Sequence, residues 1–508
     1  MVFKKITALA ICLLLLASLA LASCGGTDQS ESPSESEPEK VLTDSIEDYV
    51  KMPAFRWRNS DGSMREGYDK FNLCIYSNNV ATTYFSEDIV PNLYSTTDEV
   101  LNAAVTARND EIELKYGVKI TAEAVDDVVE TLKNDVSSSL NNYDAAMPFM
   151  RGAANSLAAD GMLYDLFEFG DYIHFDQPWW DKDCVDSVSI GHKLYMATGD
   201  ISIMPKIVSF GMTFNKVMME NRFPDIDLYQ MVRDGEWTFD RMIELCREVT
   251  YESDGSAGMT YADNWGLSSS YSDAGAFYLA SGQKFITKDP EDLPVIALGD
   301  ETSVSTAIKI LENLQLENVW VYHCDTSAGQ VPNIWQTSLD VFGENRALFR
   351  TSAFSAIKKL RAYDGADEFG LVPVPKMTST QDTYHTYCNT VYAHAAVIPN
   401  SLDRERAEFA AYMLELMAYG GMKHITKAYY DTILKTRDLK DAESEEMLDK
   451  YIFNHLVYDL GNVYDFGGIQ SMLGDLMANN STDIASSLQG NLDKIQSAID
   501  ETVEEYLN

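Results

Sequence analysis

The chain has 508 residues, of which 45% are hydrophobic and 23% charged, and its 79 acidic and 39 basic side chains give a formal net charge of −40. This apolar content is enough to bury a core, so a wholly disordered chain is excluded, and the length corresponds to about two to four domains. A surface this acidic repels phosphate backbones and the basic residues are scattered, so we expect no nucleic-acid partner.

The first 25 residues have the organisation of an export signal. Two lysines precede an apolar run over residues 6–22, and small residues precede Cys24. The run is short for a membrane span, so an uncleaved transmembrane anchor is the weaker alternative. The segment Leu21-Ala22-Ser23-Cys24 resembles a bacterial lipobox, which implies removal of residues 1–23 and lipidation of Cys24. We therefore predict an exported lipoprotein, anchored by Cys24 to the outer face of the cytoplasmic membrane.

The segment that follows Cys24 is rich in Ser, Pro and Glu and has no apolar periodicity until Val41. Such a composition buries too little apolar surface to offset the entropy of ordering, and its charges repel one another. We predict a flexible stalk over residues 24–65.

The remaining cysteines are far apart and odd in number, which argues against a disulfide scaffold and favours buried thiols: Cys74, Cys184, Cys246, Cys324 and Cys388.

The first part of the body alternates strands and helices. Three strands are predicted, at residues 71–76, 118–125 and 143–147. The box Thr96-Thr97-Asp98-Glu99 predicts the start of a helix that ends near Gly117, and apolar residues at three- and four-residue steps from Val129 to Leu140 predict a second helix. This order is typical of a doubly wound sheet, whose ligands bind beyond the carboxyl ends of the strands.

The second part continues this pattern. Residues 208–214 predict a strand that is followed by a helix at Asn215, and Thr238 is the predicted cap of a helix whose apolar face includes Cys246. A further helix is predicted to begin at Ser401 and to be stopped by Gly420-Gly421.

Eight short segments occur in a particular order over nearly all of the mature chain. They are Tyr116-Gly117-Val118-Lys119-Ile120, Tyr143-Asp144-Ala145-Ala146-Met147, Gly161-Met162-Leu163-Tyr164-Asp165-Leu166, His192-Lys193-Leu194-Tyr195, Phe214-Asn215-Lys216, Glu236-Trp237-Thr238-Phe239, Phe369-Gly370-Leu371-Val372-Pro373-Val374-Pro375 and Ala396-Val397-Ile398-Pro399-Asn400. Behind a lipobox and stalk, this order resembles the extracellular solute-binding proteins (family 1) of bacterial ABC transporters, specifically the sugar-binding group that includes maltose-binding protein. One departure is Phe214, where the family usually has Tyr.

The resemblance implies an α/β, two-lobe, periplasmic-binding-protein-like (type II) fold, with a ligand cleft between lobes joined by a hinge. It places the N-lobe at residues 66–206 plus 394–440 and the C-lobe at 207–393 plus 441–508. The implied function is capture of a carbohydrate, preferably an oligosaccharide, by hinge closure and its delivery to a separate ABC permease. The implied protein is a monomer with no enzyme activity, cofactor or metal.

Candidate ligand contacts follow from the loops that such a cleft would expose. Flat rings can cover the apolar faces of a sugar, while carboxylates, amides and Arg can meet its hydroxyl rim. The N-lobe candidates are Asn78, Phe149, Arg151 and Asp200, and the C-lobe candidates are Ser269, Tyr271, Phe354, Tyr464 and Phe466. Ordinary packing remains an alternative for Phe149, and capping of a turn beside Gly199 remains one for Asp200.

Other functional classes have weaker support. No zinc-protease, P-loop, dinucleotide-binding or nucleophile-elbow motif occurs in the sequence. Asp181 and Asp183 have the residue types of a glycosidase pair, but a solvated turn explains them better in a chain this acidic. A peptide or other polar solute is the alternative ligand, and a surface glycoside hydrolase or a purely structural lipoprotein are the alternative classes. The neighbours Trp179 and Trp180 are expected to pack rather than to bind.

Overall fold

The structure is a computed structural model, and it describes residues 45–78, 85–95, 97–253, 255, 258–363, 368–439 and 441–507. The predicted signal, Cys24 and residues 24–44 of the predicted stalk lie outside the described residues. Within the described part of the chain, no helix has both the length and the apolarity to cross a membrane.

The strands are short and are distributed over most of the chain. In chain order they are β1 Lys70–Tyr76, β2 Lys119–Val125, β3 Ala145–Ala146, β4 Phe210–Asn215, β5 Trp265–Ser269, β6 Ile286–Lys288, β7 Pro294–Ile296, β8 Val321–His323, β9 Ala347–Ala353, β10 Phe369–Val372, β11 Thr386–Tyr387 and β12 Leu456–Val457.

Helices connect and cover these strands. The α-helices are Glu99–Tyr116, Val128–Ser137, Met150–Gly152, Lys182–Val188, Met204–Ile207, Lys216–Arg222, Leu228–Arg233, Phe239–Val249, Asp273–Ala280, Glu301–Leu314, Ile334–Gly343, Ile357–Leu360, Arg404–Gly420, Ala442–Met447, Leu460–Tyr464, Met472–Ala478 and Ile484–Leu507. Wider π-helical segments are Ala153–Ala158, Gly421–Thr426, Ala428–Leu439 and Leu448–Ile452. Short 3-10 turns are Ile46–Asp48, Leu166–Phe169, Cys324–Ser327, Phe354–Ala356, Phe453–His455 and Phe466–Gly468.

The two larger sheets use different parts of the chain. The first has the order β2-β1-β3 with all pairs parallel, which confirms the predicted doubly wound start. The second has the order β10-β4-β9-β5-β8, in which β5 runs parallel to both β8 and β9, while β4 runs antiparallel to β9 and β10. The fold is therefore mixed α/β, with the first sheet formed within residues 70–146 and the second within residues 210–372.

Three chain segments run side by side between the sheets. Ser209, just before β4, forms a bridge with Cys388, and β11 pairs in parallel with β12. The chain then returns to the first sheet, where His394 and Val397 form bridges with Phe149 and Ala146. Segments near residues 209, 388 and 456 therefore connect the regions of the two sheets.

Helix caps follow local sequence rules. The helix Glu99–Tyr116 begins after Asp98, whose side chain accepts a hydrogen bond from the Val100 amide, and ends at Gly117, whose φ of 75° favours glycine. The predicted box therefore contains the observed cap, while Thr96 itself lies outside the described residues. Thr238 caps the helix Phe239–Val249, as predicted, and Asn215 is the cap of the helix Lys216–Arg222 that was predicted to follow β4.

Two helices begin or end at residues other than those predicted. The helix Val128–Ser137 stops before Leu140, which is 64% exposed and does not join the apolar face. The helix predicted from Ser401 begins at Arg404 with Asp403 as its cap, and it continues past Gly420 as π-helix instead of stopping there. Gly421 keeps helical dihedral angles because it sits against the Asp200 carbonyl, where a Cβ atom would lie 1.9 Å from the oxygen.

Residues 45–65 pack against the body, although they fall in the range predicted as a stalk. The Trp57 side chain is fully buried and contacts Phe409 and Tyr412, and Arg65 pairs with Glu405 at 2.6 Å. The prediction of a flexible stalk is therefore wrong for residues 45–65, because the aromatic residues in this range have apolar surface to bury. The five described cysteines are free and buried, as predicted.

Candidate functional site

Aromatic side chains gather where β1 and β3 end. The Phe149 ring stacks on Tyr76 with centroids 3.9 Å apart, and it meets Tyr392 edge-on at 5.6 Å and His394 at 5.4 Å. Phe149 and Tyr392 are half-buried, whereas Tyr76 and His394 are buried. We call Tyr76, Phe149, Tyr392 and His394 the ring group. It lies at the carboxyl edge of the first sheet, where α/β sheets bind ligands.

Arg151 lies two residues after Phe149, in the short helix Met150–Gly152. Its Nη2 donates to the Asn462 carbonyl at 2.9 Å, and its Nη1 lies 3.9 Å from the Asp465 carboxylate. Burial raises the pKa of Asp465, and the Arg151 charge opposes that shift. Among the described residues, three buried atoms of this cluster have no hydrogen-bond partner: Arg151 Nε, Asn462 Oδ1 and Asp465 Oδ1.

Polar side chains occupy the carboxyl edge of the second sheet. After β5, the Asp273 carboxylate accepts hydrogen bonds from the Ser269 hydroxyl at 2.8 Å and the Ser270 amide at 3.0 Å. The Tyr271 amide donates to Asp325, which follows β8, at 2.8 Å. We call Ser269, Ser270, Tyr271, Asp273 and Asp325 the polar group. Burial raises the pKa of Asp273, and the hydrogen bonds from Ser270 and Ser269 oppose that shift.

Tyr387 connects the two edges. Its side chain is buried and meets Phe210 edge-on at 4.9 Å. Burial raises the pKa of Tyr387; the positive charge of Arg151 opposes this shift, and the negative charge of Asp273 adds to it. The Arg151 amide donates to the Thr390 carbonyl, three residues after Tyr387, at 3.2 Å, and the helix Asp273–Ala280 contacts β11. The carboxyl edges of the two sheets therefore approach each other around Tyr387.

The structure brings four of the predicted contacts to this region: Phe149, Arg151, Ser269 and Tyr271. Asn78 is an exposed residue just after β1, at the same edge as the ring group. Whether these five residues contact a ligand stays a prediction.

Asp200 lies in a different environment. Its carboxylate accepts hydrogen bonds from Lys206 at 2.7 Å and Thr426 at 2.8 Å, and the residue is 7% exposed. These contacts join the segment before β4 to the π-helical segment Gly421–Thr426. Both hydrogen bonds are accepted by the same carboxylate oxygen of Asp200, Oδ1.

Three predicted ring contacts are buried. Phe354 is 2% exposed and packs on Phe453 with centroids 4.8 Å apart. Tyr464 stacks on Phe466 at 5.2 Å, and the Tyr464 hydroxyl donates to the Val188 carbonyl at 3.2 Å. In this conformation the three rings contact protein, so their role in binding remains a prediction.

The two acids considered as a glycosidase pair differ in surroundings. Asp181 caps the helix Lys182–Val188 and accepts a hydrogen bond from the Tyr458 hydroxyl at 2.8 Å, and burial raises its pKa. Asp183 is exposed. The expected solvated turn is wrong for Asp181, which is a half-buried helix cap. Trp179 and Trp180 are both buried, as the packing interpretation predicts.

Several residues of this region were not predicted from the sequence. Tyr76 could have been predicted from the sequence, because it is the last residue of the predicted strand β1. Asp273, Asp325 and Tyr387 carried no such signal, since their roles depend on which strands become neighbours. Within the described residues, no group of three or more His, Cys, Asp or Glu side chains is placed to hold a metal ion.

No protein-family model matches the chain, and no curated protein sequence matches it. Among solved structures, a cyclo/maltodextrin-binding protein complexed with maltotetraose has a TM-score of 0.50 and 12% identity, with 86% of this chain and 96% of that chain covered. MalX from Streptococcus pneumoniae, in complex with maltopentaose, has a TM-score of 0.49 and 14% identity, with 84% and 99% covered. An ABC transporter solute-binding protein from Thermotoga lettingae, bound with α-D-tagatose, has a TM-score of 0.48 and 15% identity, with 86% and 99% covered.

The match to the cyclo/maltodextrin-binding protein spans both sheets and nearly all of its length. The chain therefore has the α/β, two-lobe, periplasmic-binding-protein-like fold of the maltodextrin-binding proteins.

Proposed function

We propose that this chain is the substrate-binding lipoprotein of an ABC importer and that it captures an oligosaccharide between its two lobes. The observation that carries the proposal is that the chain around Tyr387 contacts both Arg151, beside the ring group, and the helix Asp273–Ala280 of the polar group, within the fold of a maltodextrin-binding protein. Half-buried rings and the Arg151 guanidinium on one side, with hydroxyl and carboxylate groups on the other, match the faces and rim of a sugar.

The unpartnered atoms near Arg151 support a polar ligand. A buried polar atom that lacks a hydrogen bond costs about 1–3 kcal/mol of stability. Arg151 Nε, Asn462 Oδ1 and Asp465 Oδ1 supply one donor and two acceptors within a single cluster. Sugar hydroxyls both donate and accept, so one sugar unit could satisfy all three atoms.

The lobe boundaries in this proposal are 66–206 plus 394–440 and 207–393 plus 441–508. The three neighbouring segments near residues 209, 388 and 456 are the proposed hinge. A ligand that contacts both groups binds the closed state better than the open state, and only such differential affinity shifts the equilibrium. A membrane permease would then recognise the closed protein, which Cys24 keeps at the membrane.

The first test is a thermal-shift screen of the full chain against monosaccharides, oligosaccharides, amino acids and short peptides. A ligand at 100 times its dissociation constant adds about 2.7 kcal/mol of stability, which raises the melting temperature measurably. We expect a shift with one class of oligosaccharide.

The other outcomes decide between functional classes. A response to peptides alone would keep the fold and replace the ligand, and no response to any compound would contradict the proposed function. Release of sugar products at catalytic rates during the incubation would instead show a glycoside hydrolase.

A further inference from the structure

Residues 45–65, which we call the strap, differ in charge from the chain as a whole. They contain four basic and three acidic side chains, whereas the whole chain contains 39 basic and 79 acidic ones. They also contain Tyr49, Phe55 and Trp57, whose rings have a large apolar surface to bury. The strap is therefore suited to a surface that is both acidic and aromatic.

The helix Arg404–Gly420 offers such a surface. Every residue from Phe409 to Gly420 is buried, so this part of the helix has neighbours on all sides. Near its start the helix carries two half-buried acids, Glu405 and Glu408. These acids pair with arginines of the strap. The strap therefore covers a face of this helix that would otherwise be in contact with water.

The strap runs along the helix in the opposite direction. Near its beginning the Tyr49 ring meets Tyr419 with centroids 6.1 Å apart, and at its end Arg65 pairs with Glu405 at 2.6 Å. Residues 405 and 419 are about 21 Å apart along a helix. Trp57 packs on the helix between these two points. The strap is therefore attached at several places along four helical turns.

The strap also contacts the helix Glu99–Tyr116. The Lys115 ammonium donates to the Glu47 carboxylate at 2.7 Å, and the Arg58 guanidinium donates to the Tyr116 carbonyl at 2.7 Å. Every partner named here, on both helices, belongs to the proposed N-lobe.

We propose that the strap fastens the membrane tether to the N-lobe, so that the C-lobe is the lobe that moves when the cleft closes. This inference rests on the proposed function, which supplies the lipid on Cys24 and the two lobes. A single covalent link to the predicted stalk would let the body rotate freely on its tether. Attachment at several points along about 21 Å of helix fixes the N-lobe instead, and these contacts do not restrain the C-lobe.

Trp57 is the side chain on which this attachment depends most. It is fully buried, and its ring meets Phe409 at 5.3 Å and Tyr412 at 5.5 Å. The pair Arg65–Glu405 is partly exposed, and such ion pairs contribute little to stability. Loss of the Trp57 ring should therefore detach the strap even though the ion pairs can still form.

The test cuts the full-length, lipidated protein on one side of the strap or the other. One variant has a specific protease site inserted between residues 44 and 45. The other has the site between Glu66 and Gly67, which are both exposed. After the cut at 66–67, we expect the fragment that contains the strap to co-elute with the body in size-exclusion chromatography. Vesicles of phosphatidylethanolamine and phosphatidylglycerol should then retain the cut body. The cut at 44–45 should release the body from the same vesicles.

Trp57→Ala is the variant that should weaken the attachment. In the protein cut at 66–67, we expect it to lower the fraction of body retained on vesicles about tenfold. Asp61→Ala is the matched control, because Asp61 is exposed and its hydrogen bonds go to Ser63 within the strap. It should retain the body like wild type. Melting temperatures before cutting show that both variants fold.

The wild-type cut decides the proposal without any substitution. Separation of the wild-type fragment from the body after the cut at 66–67, or release of the body from vesicles by that cut, would overturn the strap and leave the anchoring intact. If the uncut protein does not bind vesicles, the anchoring in the proposed function fails and the tether in this inference fails with it. Co-elution of the cut fragment would still show that the strap is attached to the N-lobe.

Discussion

Phe149 and Phe354 each follow a strand, β3 and β9 respectively, of different sheets, and their surroundings differ. Phe149 is half-buried in the ring group, whereas Phe354 is 2% exposed and packs on Phe453. A ring that already fills a core site contributes to stability through its packing, and a ring at an edge still has surface to offer a ligand. Substitution of Phe149 should therefore affect mainly ligand binding, and substitution of Phe354 mainly the stability of the fold.

We predict that Phe354→Ala lowers the free energy of unfolding by about 3–5 kcal/mol, because it removes a buried ring and leaves a cavity. Phe149→Ala should lower it less, since part of that ring is already in water, and should weaken sugar binding about tenfold. Urea denaturation measures the first quantity and calorimetry the second. A Phe354→Ala protein that unfolds like wild type would contradict the packing role.

Residue-scale features were only partly predictable. Phe149 and Tyr271 could be named from the sequence because they follow strands, and position after a strand is a local property. Tyr387 could not, since its significance comes from Arg151 and Asp273, which are more than 100 residues away in the chain. Burial of Phe354 likewise depends on Phe453, which a local pattern does not reveal.

At the scale of elements, the helix that starts at Arg404 shows how a glycine pair can be misread. Gly-Gly commonly ends a helix, because glycine adopts left-handed dihedral angles easily. Here Gly421 stays right-handed, and its missing side chain lets the helix touch the Asp200 carbonyl. Tertiary contact therefore overrides the local signal, whereas the cap at Thr238 involves only neighbouring residues and was predicted correctly.

We predict opposite effects for two glycine-to-alanine changes in helices. Gly421→Ala places a Cβ atom 1.9 Å from the Asp200 oxygen, so it should destabilise the protein by more than about 2 kcal/mol through overpacking. Gly490→Ala, in the helix Ile484–Leu507, meets no atom within 4 Å and should stabilise by about 0.5–1 kcal/mol. Melting temperatures of the two variants test this, and a stabilising Gly421→Ala would refute the close contact.

At the scale of the whole molecule, electrostatic interactions make the folded protein more stable at mildly acidic pH than at neutral pH. The net charge of −40 destabilises the compact state through self-repulsion, which protonation relieves. Several carboxyls are buried in the fold, and burial raises the pKa of Asp459 to about 6 although amides of Asn462, Ile286 and Phe285 donate to it. Burial also raises the pKa of Asp88 and the pKa of Asp273.

The sign of the pH dependence follows from these shifts. Between the ordinary Asp value of 3.8 and about 6, the folded protein holds a proton on Asp459 that the unfolded chain has released. Lowering the pH through this window therefore stabilises the fold, by about 3 kcal/mol for the whole window. Glu47 acts in the opposite way. Burial tends to raise its pKa, but hydrogen bonds from Lys115 and Ser45 lower it to about 2. The stabilisation of the fold by ionised Glu47 is therefore lost as the pH falls from 4.5 to 2.

We therefore predict that the melting temperature rises as the pH falls from 7.5 to 5 and declines again below about pH 4. Asp459→Asn should weaken the rise, because the variant has no proton to take up at this position. Asp225→Asn is the control, since it removes the same charge from an exposed residue and should keep the wild-type profile. Melting curves at constant ionic strength test both variants. A melting temperature that falls steadily from pH 7.5 to 5 would show that ion pairs such as Lys115–Glu47, and not buried carboxyls, control the acid response.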